Sequence, residues 1–410
     1  MPEQQSASPT TGGNRFLVID ALRGFALLFI VVANLPEFGL WTFLSTAERD
    51  LMSTASVDHV TRFVHYFLVD GKGYGIFSVL FGLGFALFYA NAERKGRNGA
   101  SLFARRMFWL LLFGLLHLLF LWSGDILCLY ALTGLLLLLF RRCSNRVLVG
   151  WAVALLALPV VVEFAQQLTD TDLAHPLEEA WWNTAHGVGI TEYNFATWLR
   201  DADNYALVLK FLQQGAVERM WEFVDGNRLP KVLGFFLLGY CIGRNEVYKH
   251  LDEWKPRLLT FCFCTALAGI PLSLLYAYDC MSGGLWGAVC SSAIYALSVP
   301  TMTLFYIVAF ALLWHRRPGA LVFAAFAALG RMAFTNYIGQ SVLGIAIYYG
   351  IGLGLGLSMG HAQIALVAFG IYLFQILFSL CWLHFFAFGP LEWLWRMLTY
   401  GRFFPIARRS

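Results

Sequence analysis

Arg15 to Asn34 reads RFLVIDALRGFALLFIVVAN, and the fold class turns on it. About 20 mostly apolar residues let a helix cross a hydrocarbon core of ~30 Å. This stretch is that long, yet it carries Asp20 and Arg23 in its first half. Charges inside a span are costly and point to function, with a partner close by. On a helix Asp20 and Arg23 are i, i+3 neighbours and can pair. Asn34 lies eleven residues beyond Arg23, ~1100° of rotation, and so returns to the same face about 16 Å away. The helix presents a polar stripe, with an ion pair towards one membrane surface and an amide towards the other.

The rest of the chain agrees with a membrane setting. Charged residues make up 13% of the 410 residues, against about 25% in a soluble domain, and mean hydropathy is +0.64. The expected fold is all-α: a polytopic helical membrane bundle of about ten spans plus a re-entrant or interfacial helix. The spans fall at 16–35, 74–91, 104–122, 126–140, 147–167, 230–243, 257–277, 292–313, 335–354 and 363–387. The apolar stretch 319–334 is too close to the next span to cross alone, and can be re-entrant only against protein. A polar tail (1–14) precedes an N-terminal half (15–167). An acidic loop (168–229), a C-terminal half (230–398) and a basic tail (399–410) follow.

Basic residues collect between spans on one side: Arg94 to Arg106, Arg141 to Arg146, Arg244 to Arg257, Arg316 with Arg317, and the C-terminal arginines. The positive-inside rule makes that side and both termini cytoplasmic. Loops 36–73 and 168–229 then lie outside, as expected for a multi-pass plasma-membrane protein. The net charge of +4, spread in this way, gives no reason to expect nucleic acid. The eight cysteines show no CxxC or Cys/His spacing, so no metal site is expected. Cys280 and Cys290 are near enough in sequence to bridge.

The second helix with polar content is RRMFWLLLFGLLHLLFLWSGDIL, Arg105 to Leu127. His117 is eleven residues from Arg106 and shares its face. Asp125, in the turn that follows, can orient it. A backbone carbonyl could satisfy a lone histidine, but an ionisable residue in a span usually faces a pathway. The outer loop holds Trp181, Trp182, Trp198 and Trp221. Interfacial anchoring explains most of them; a cover over an acceptor site is the sharper reading. Near the C-terminus, Arg331 and Asn336 break an apolar stretch, and Glu392 with Arg396 is placed either for an i, i+4 pair or for a helix cap.

Arg15-x(4)-Asp20-x-Leu22-Arg23-Gly24-x-Ala26 resembles the first helix of the transmembrane acyltransferase superfamily. That group includes the acyltransferase-three proteins and heparan-alpha-glucosaminide N-acetyltransferase. The GLLH and GDIL segments, Gly330 to Tyr337 with Gln340 and Ser341, and Phe388 to Arg396 resemble its YeiB-like branch. The resemblance implies transfer of an acyl group from cytoplasmic acetyl-CoA or another acyl-CoA to an extracytoplasmic acceptor, a glycan or small molecule. Arg23, Arg105 and Arg106, with Asp20 and Arg331, would form the donor site, since arginine's fork suits phosphate. His117 would be the general base, Asp125 its orienting partner, and Asn34 a donor to the oxyanion. Asn34 stands where the acyltransferase-three pattern has histidine, and an asparagine cannot act as base. Either His117 takes that role or the branch performs other chemistry. A transporter with a polar intramembrane pathway, or a silent receptor or scaffold, are the alternatives. A homodimer is compatible with the sequence.

Overall fold

The computed structural model describes residues 17–408. The tail 1–14, Arg15 and Arg409 lie outside them. Among the described residues every named element is helical.

In chain order the helices are α1 (Leu17–Phe38), α2 (Thr46–Asp50), α3 (Ala55–Leu68), α4 (Lys72–Arg94), α5 (Gly99–Phe120), α6 (Leu127–Leu137) and α7 (Asn145–Thr169). The segment after α7 folds as α8 (His175–Gly187), α9 (Phe195–Asp201) and α10 (Tyr205–Asp225). The second half holds α11 (Arg228–Arg244), α12 (Leu251–Met281), α13 (Ala288–Arg316), α14 (Leu321–Arg331), α15 (Ala333–Tyr348), α16 (His361–Phe385) and α17 (Pro390–Tyr400). Polar side chains mark several starts: Asn98, Ser144 and Asn204 each accept a first-turn N–H of α5, α7 and α10, which a helix otherwise leaves unsatisfied.

Seven of these lengths are apolar and long enough to cross a membrane, and α14 with α15 makes an eighth as a pair bent by 81°. The protein is a multi-pass helical membrane bundle. Two of the ten expected spans are shorter than a crossing needs. Leu127–Phe140 is a short apolar helix, and α11 has 17 residues. Of the two, α11 is enclosed: it packs against α4 and α7 and buries Phe235, Phe236 and Leu237, whereas Leu127–Phe140 still exposes Leu132, Leu135 and Leu139. An interior helix needs no lipid-facing length. The expected loop 36–73 is also mostly helix, because α3 continues into α4 as one apolar length, Ala55–Arg94. Arg62 and His65 lower the hydropathy of α3 without breaking its helical pattern. All eight cysteines are free, Cys280 and Cys290 included.

Glycines set the crossings that matter for the site. A Cβ on Gly24 of α1 would sit 1.9 Å from the Phe326 carbonyl oxygen of α14, and one on Gly330 would sit 1.8 Å from the Asp20 oxygen. Each helix therefore lays its backbone into the other at the position where only hydrogen fits. Asp20 and Arg23 are thereby fixed beside Arg331. The break between α14 and α15 is held by side chains. The Asn336 amide donates to the Leu329 carbonyl (3.2 Å) and to Ser379 of α16 (2.9 Å), and Gln340 donates to Gln375 (3.0 Å). Backbone groups freed by a bend inside a membrane must find partners in protein.

Candidate functional site

One end of the bundle opens into a cavity of about 960 Å³ between α1, α4, α5, α11, the bent pair and α17. That lies at the upper end of the size of ligand pockets. Arg94, Arg106, Arg244, Lys249 and Arg396 line its wide end, with Arg23 and Arg331 further in. Asp20, Glu246 and Glu392 are the acidic side chains among them. Going deeper the lining becomes apolar: Leu27 and Ile30 on α1, Phe77 and Phe81 on α4, Leu110 on α5, then Tyr130 and Tyr337. From Arg94 to Phe77 along α4 is ~25 Å. The shape suits a long molecule with an anionic head and a less polar tail.

Asp20 accepts from Arg23 at 3.1 Å, the pair expected from their spacing. Arg106 lies 3.7 Å over the Trp395 ring and 5.3 Å from Phe88, held by aromatic faces that favour a cation. Arg105 does not line the cavity; its guanidinium is next to Gly401. Glu392 does not pair with Arg396 but takes the N–H groups of Phe334 (2.7 Å) and Thr335 (3.1 Å) and the Thr335 hydroxyl (2.6 Å). It caps α15, and burial pushes its carboxyl up from the usual range despite those donors. Arg396 stacks on Phe388 instead.

His117 is 1% exposed and Asp125 0%. The imidazole Nδ1 is 2.8 Å from Asp125 Oδ2, and its Nε2 is 2.9 Å from the Ser341 hydroxyl of α15. An ionised carboxylate only accepts, so in the tautomer that pairs with an ionised Asp125 the proton is on Nδ1 and Nε2 accepts from Ser341. Asp125 Oδ1 also takes the Cys128 N–H at 2.7 Å, which fixes the carboxylate at the start of α6. The ring of Tyr337, at the deep end of the cavity, has its centroid 5.2 Å from that of His117.

On the far side of this chain lies a smaller cavity of about 260 Å³, lined by Glu37, Ser123, Gly124, Glu218, Arg219 and Glu222 among others. Helix α10 crosses it. Arg219 donates to the Asp125 carbonyl at 2.8 Å and pairs with Glu222, while Trp122 donates to Glu37 at 2.9 Å. Desolvation, then the Glu222 and Glu37 carboxylates, push Glu218 well above the ordinary range. Trp181 is buried, stacked between Trp182 and Trp221 with centroids at 4.8 and 5.2 Å. The loop tryptophans pack into the core that this segment shares with α1, α15 and α16. Asn34 is half-buried and lines neither cavity; it sits on α1 between Ile30 at the larger one and Glu37 at the smaller one.

Ser341 and Tyr337 belong to one sequence block but receive no chemical role from sequence, because their partner His117 comes from a distant helix. Glu37 was also missed, although it continues the stripe of Arg23 and Asn34 by one turn. Arg94, Arg244 and Lys249 read only as loop charges and Arg396 only as a partner for Glu392 or a helix cap, since nothing in sequence says that several loops meet at one mouth.

The fold and site define a multi-pass helical membrane protein with a cationic cavity and a buried Asp–His–Ser chain. Residues 242–402 match the family described as "Protein of unknown function (DUF418)". The chain is 31% identical over 399 residues to the "Uncharacterized 39.9 kDa protein in amylase 3'region" of Bacillus acidopullulyticus, covering 97% of each. It is 29% identical to the "Uncharacterized protein YxaH" of Bacillus subtilis, over 99% of each, and 28% identical to the "Uncharacterized protein YeiB" of Escherichia coli, over 94% of this chain and 96% of that one. The chain belongs to this YeiB-like, DUF418 family.

Proposed function

We propose that the protein is a membrane acyltransferase that takes an acyl group from acyl-CoA in the cationic cavity and passes it to an acceptor at His117. The observation that carries this reading is the cavity itself, cationic at its mouth and apolar at depth, ending at the ring beside His117. The CoA phosphates meet Arg94, Arg106, Arg244 and Arg396, and the pantetheine arm runs along Leu27 and Leu110 towards Tyr337. The acceptor comes from the smaller cavity. Its hydroxyl or amine takes the place of the Ser341 hydroxyl at Nε2 and gives up its proton there as it attacks the thioester carbonyl. The carbon–sulfur bond then breaks, and the imidazolium returns the proton to the CoA thiolate. Asp125 holds the ring and offsets its charge. Asn34, between the two cavities, is the donor proposed for the oxyanion.

Protein purified without added ligand is expected to carry CoA or acyl-CoA, detected by mass spectrometry after denaturation. CoA absent from wild type, together with no binding of added acetyl-CoA, would sink the donor assignment. The reading also places the cationic mouth in the cytoplasm by the positive-inside rule. A cysteine at Tyr193, which is 96% exposed, should react with an impermeant maleimide on intact cells. One at Arg142 should react only after permeabilisation, and the reverse pattern would invert every assignment of sides.

A further inference from the structure

The end of the bundle opposite the cationic cavity holds a second group of cationic and N–H-bearing side chains that acyl transfer does not use. Trp41 is 4% exposed. The Arg49 guanidinium carbon is 4.3 Å from its ring centroid and that of Arg62 is 5.3 Å away. The His361 ring, at the first turn of α16, is 4.9 Å from Trp41, and His65 of α3 is 5.3 Å from His361. Trp41 Nε1, Arg49 Nε, Arg62 Nε, His65 Nδ1 and His361 Nδ1 are all buried and lack a hydrogen-bond partner among the described residues, while Arg49 Nη2 donates to the Thr42 carbonyl at 2.7 Å. Buried donors normally find acceptors, so several orphaned at one place call for an explanation.

The nearby carboxylates do not supply it. Asp58 is taken up by the Ala362 N–H (2.8 Å) and the Thr54 hydroxyl (2.7 Å), Glu48 by Ser45, and Asp70 by the Tyr276 hydroxyl. Neither Arg49 nor Arg62 forms an ion pair among the described residues. Two guanidinium groups over one ring with no anion between them repel. What would satisfy them is an oxyanion with more acceptor atoms than a carboxylate's two oxygens. A phosphate group fits the arginine forks and leaves oxygens for the imidazole and indole N–H groups.

The surroundings point to where that phosphate comes from. Helix α3 exposes Val57 (56%), Val60 (62%), Val64 (43%) and Leu68 (36%), an apolar stripe at helical spacing. Arg62 and His65 lie on the same helix ~80–140° round from Val57. A helix that is apolar on one face and cationic on another beside a bundle end is suited to the membrane interface. We propose that Trp41, Arg49, Arg62, His65 and His361 form a binding site for a phosphate group, supplied by a phospholipid headgroup or by free phosphate.

The test compares wild type, Arg49→Gln with Arg62→Gln, and Trp41→Phe, which keeps the ring and removes the N–H. Each is purified in detergent, checked for monodispersity, and offered dioleoylphosphatidylglycerol, dioleoylglycerol or inorganic phosphate. Retained lipid is read by native mass spectrometry and phosphate by titration calorimetry. Wild type should hold phosphatidylglycerol in preference to dioleoylglycerol, with affinity reduced 10-fold or more in the arginine variant and less in Trp41→Phe. That pattern assigns a lipid headgroup. Binding of inorganic phosphate alone, lost in the arginine variant, assigns a soluble anion to the same site. Should the arginine variant aggregate, the comparison rests on Trp41→Phe, where a 2-fold or greater loss is expected. Equal retention in folded variants and wild type, or no binding of either probe by wild type, overturns the site.

Discussion

His117→Gln is expected to bind acyl-CoA as the wild type does and to lose acyl transfer by ~100-fold or more, ~100-fold being the lower end of what removing a general base costs. Glutamine keeps polarity and most of the volume, and its amide can still meet Asp125 and Ser341, which lie 2.8 and 2.9 Å from the imidazole. It has no lone pair that takes a proton near neutrality. His117→Ala should transfer as poorly, with a further loss of stability because it strips Asp125 of a buried donor. The residue does not line the donor cavity, so acyl-CoA affinity should stay within about twofold, against the tenfold that 1.4 kcal/mol represents. The assay is release of CoA from labelled acyl-CoA by purified protein in detergent, with binding measured on the same samples. A His117→Gln protein that releases CoA at the wild-type rate ends the catalytic reading of this histidine and favours a transporter.

Gly330→Ala should be the most damaging small substitution in the chain. The added carbon would meet the Asp20 carbonyl oxygen at 1.8 Å and the Gly24 nitrogen at 2.7 Å. Both are backbone atoms that no side-chain rotation can move. The helices must part, at a cost of about 1–3 kcal/mol or more for overpacking, and Asp20, Arg23 and Arg331 lose their common setting. A lower thermal midpoint by fluorescence-detected size exclusion, together with weaker CoA binding, is the expected result. Gly150→Ala is the control: nothing lies within 4 Å of its Cβ position, and alanine in a helix is favoured by ~0.5–1 kcal/mol. Equal midpoints for the two variants would refute the close crossing.

The ionic part of α1 was legible because it is local. Asp20 and Arg23 are a helical turn apart, and geometry alone pairs them. The His117–Asp125 contact was within reach for the same reason, a short turn after α5. That 319–334 does not cross on its own was legible from chain length; the bend at Met332 that joins it to α15 was not. The reverse holds for the site's other half. Ser341 is recognised only once α15 is set against α5, and the cationic mouth only once α4, α5, α11 and α17 end together. Hydropathy did not reveal α3 as a helix, because Asp58, Arg62 and His65 lower the average while meeting other protein, and a window average cannot tell an inward polar face from a solvated loop.

Titration of acetyl-CoA into the purified protein tests the donor cavity most directly. One saturable site per chain is expected, much weaker for S-acetylpantetheine, which lacks the phosphates. Arg106→Ala should weaken acetyl-CoA binding, and Arg105→Ala should do so far less, because only Arg106 lines the cavity. Rising salt should narrow the difference, since exposed charges are screened. No saturable binding, or S-acetylpantetheine binding as tightly as acetyl-CoA, would contradict the assignment of this cavity to the CoA phosphates.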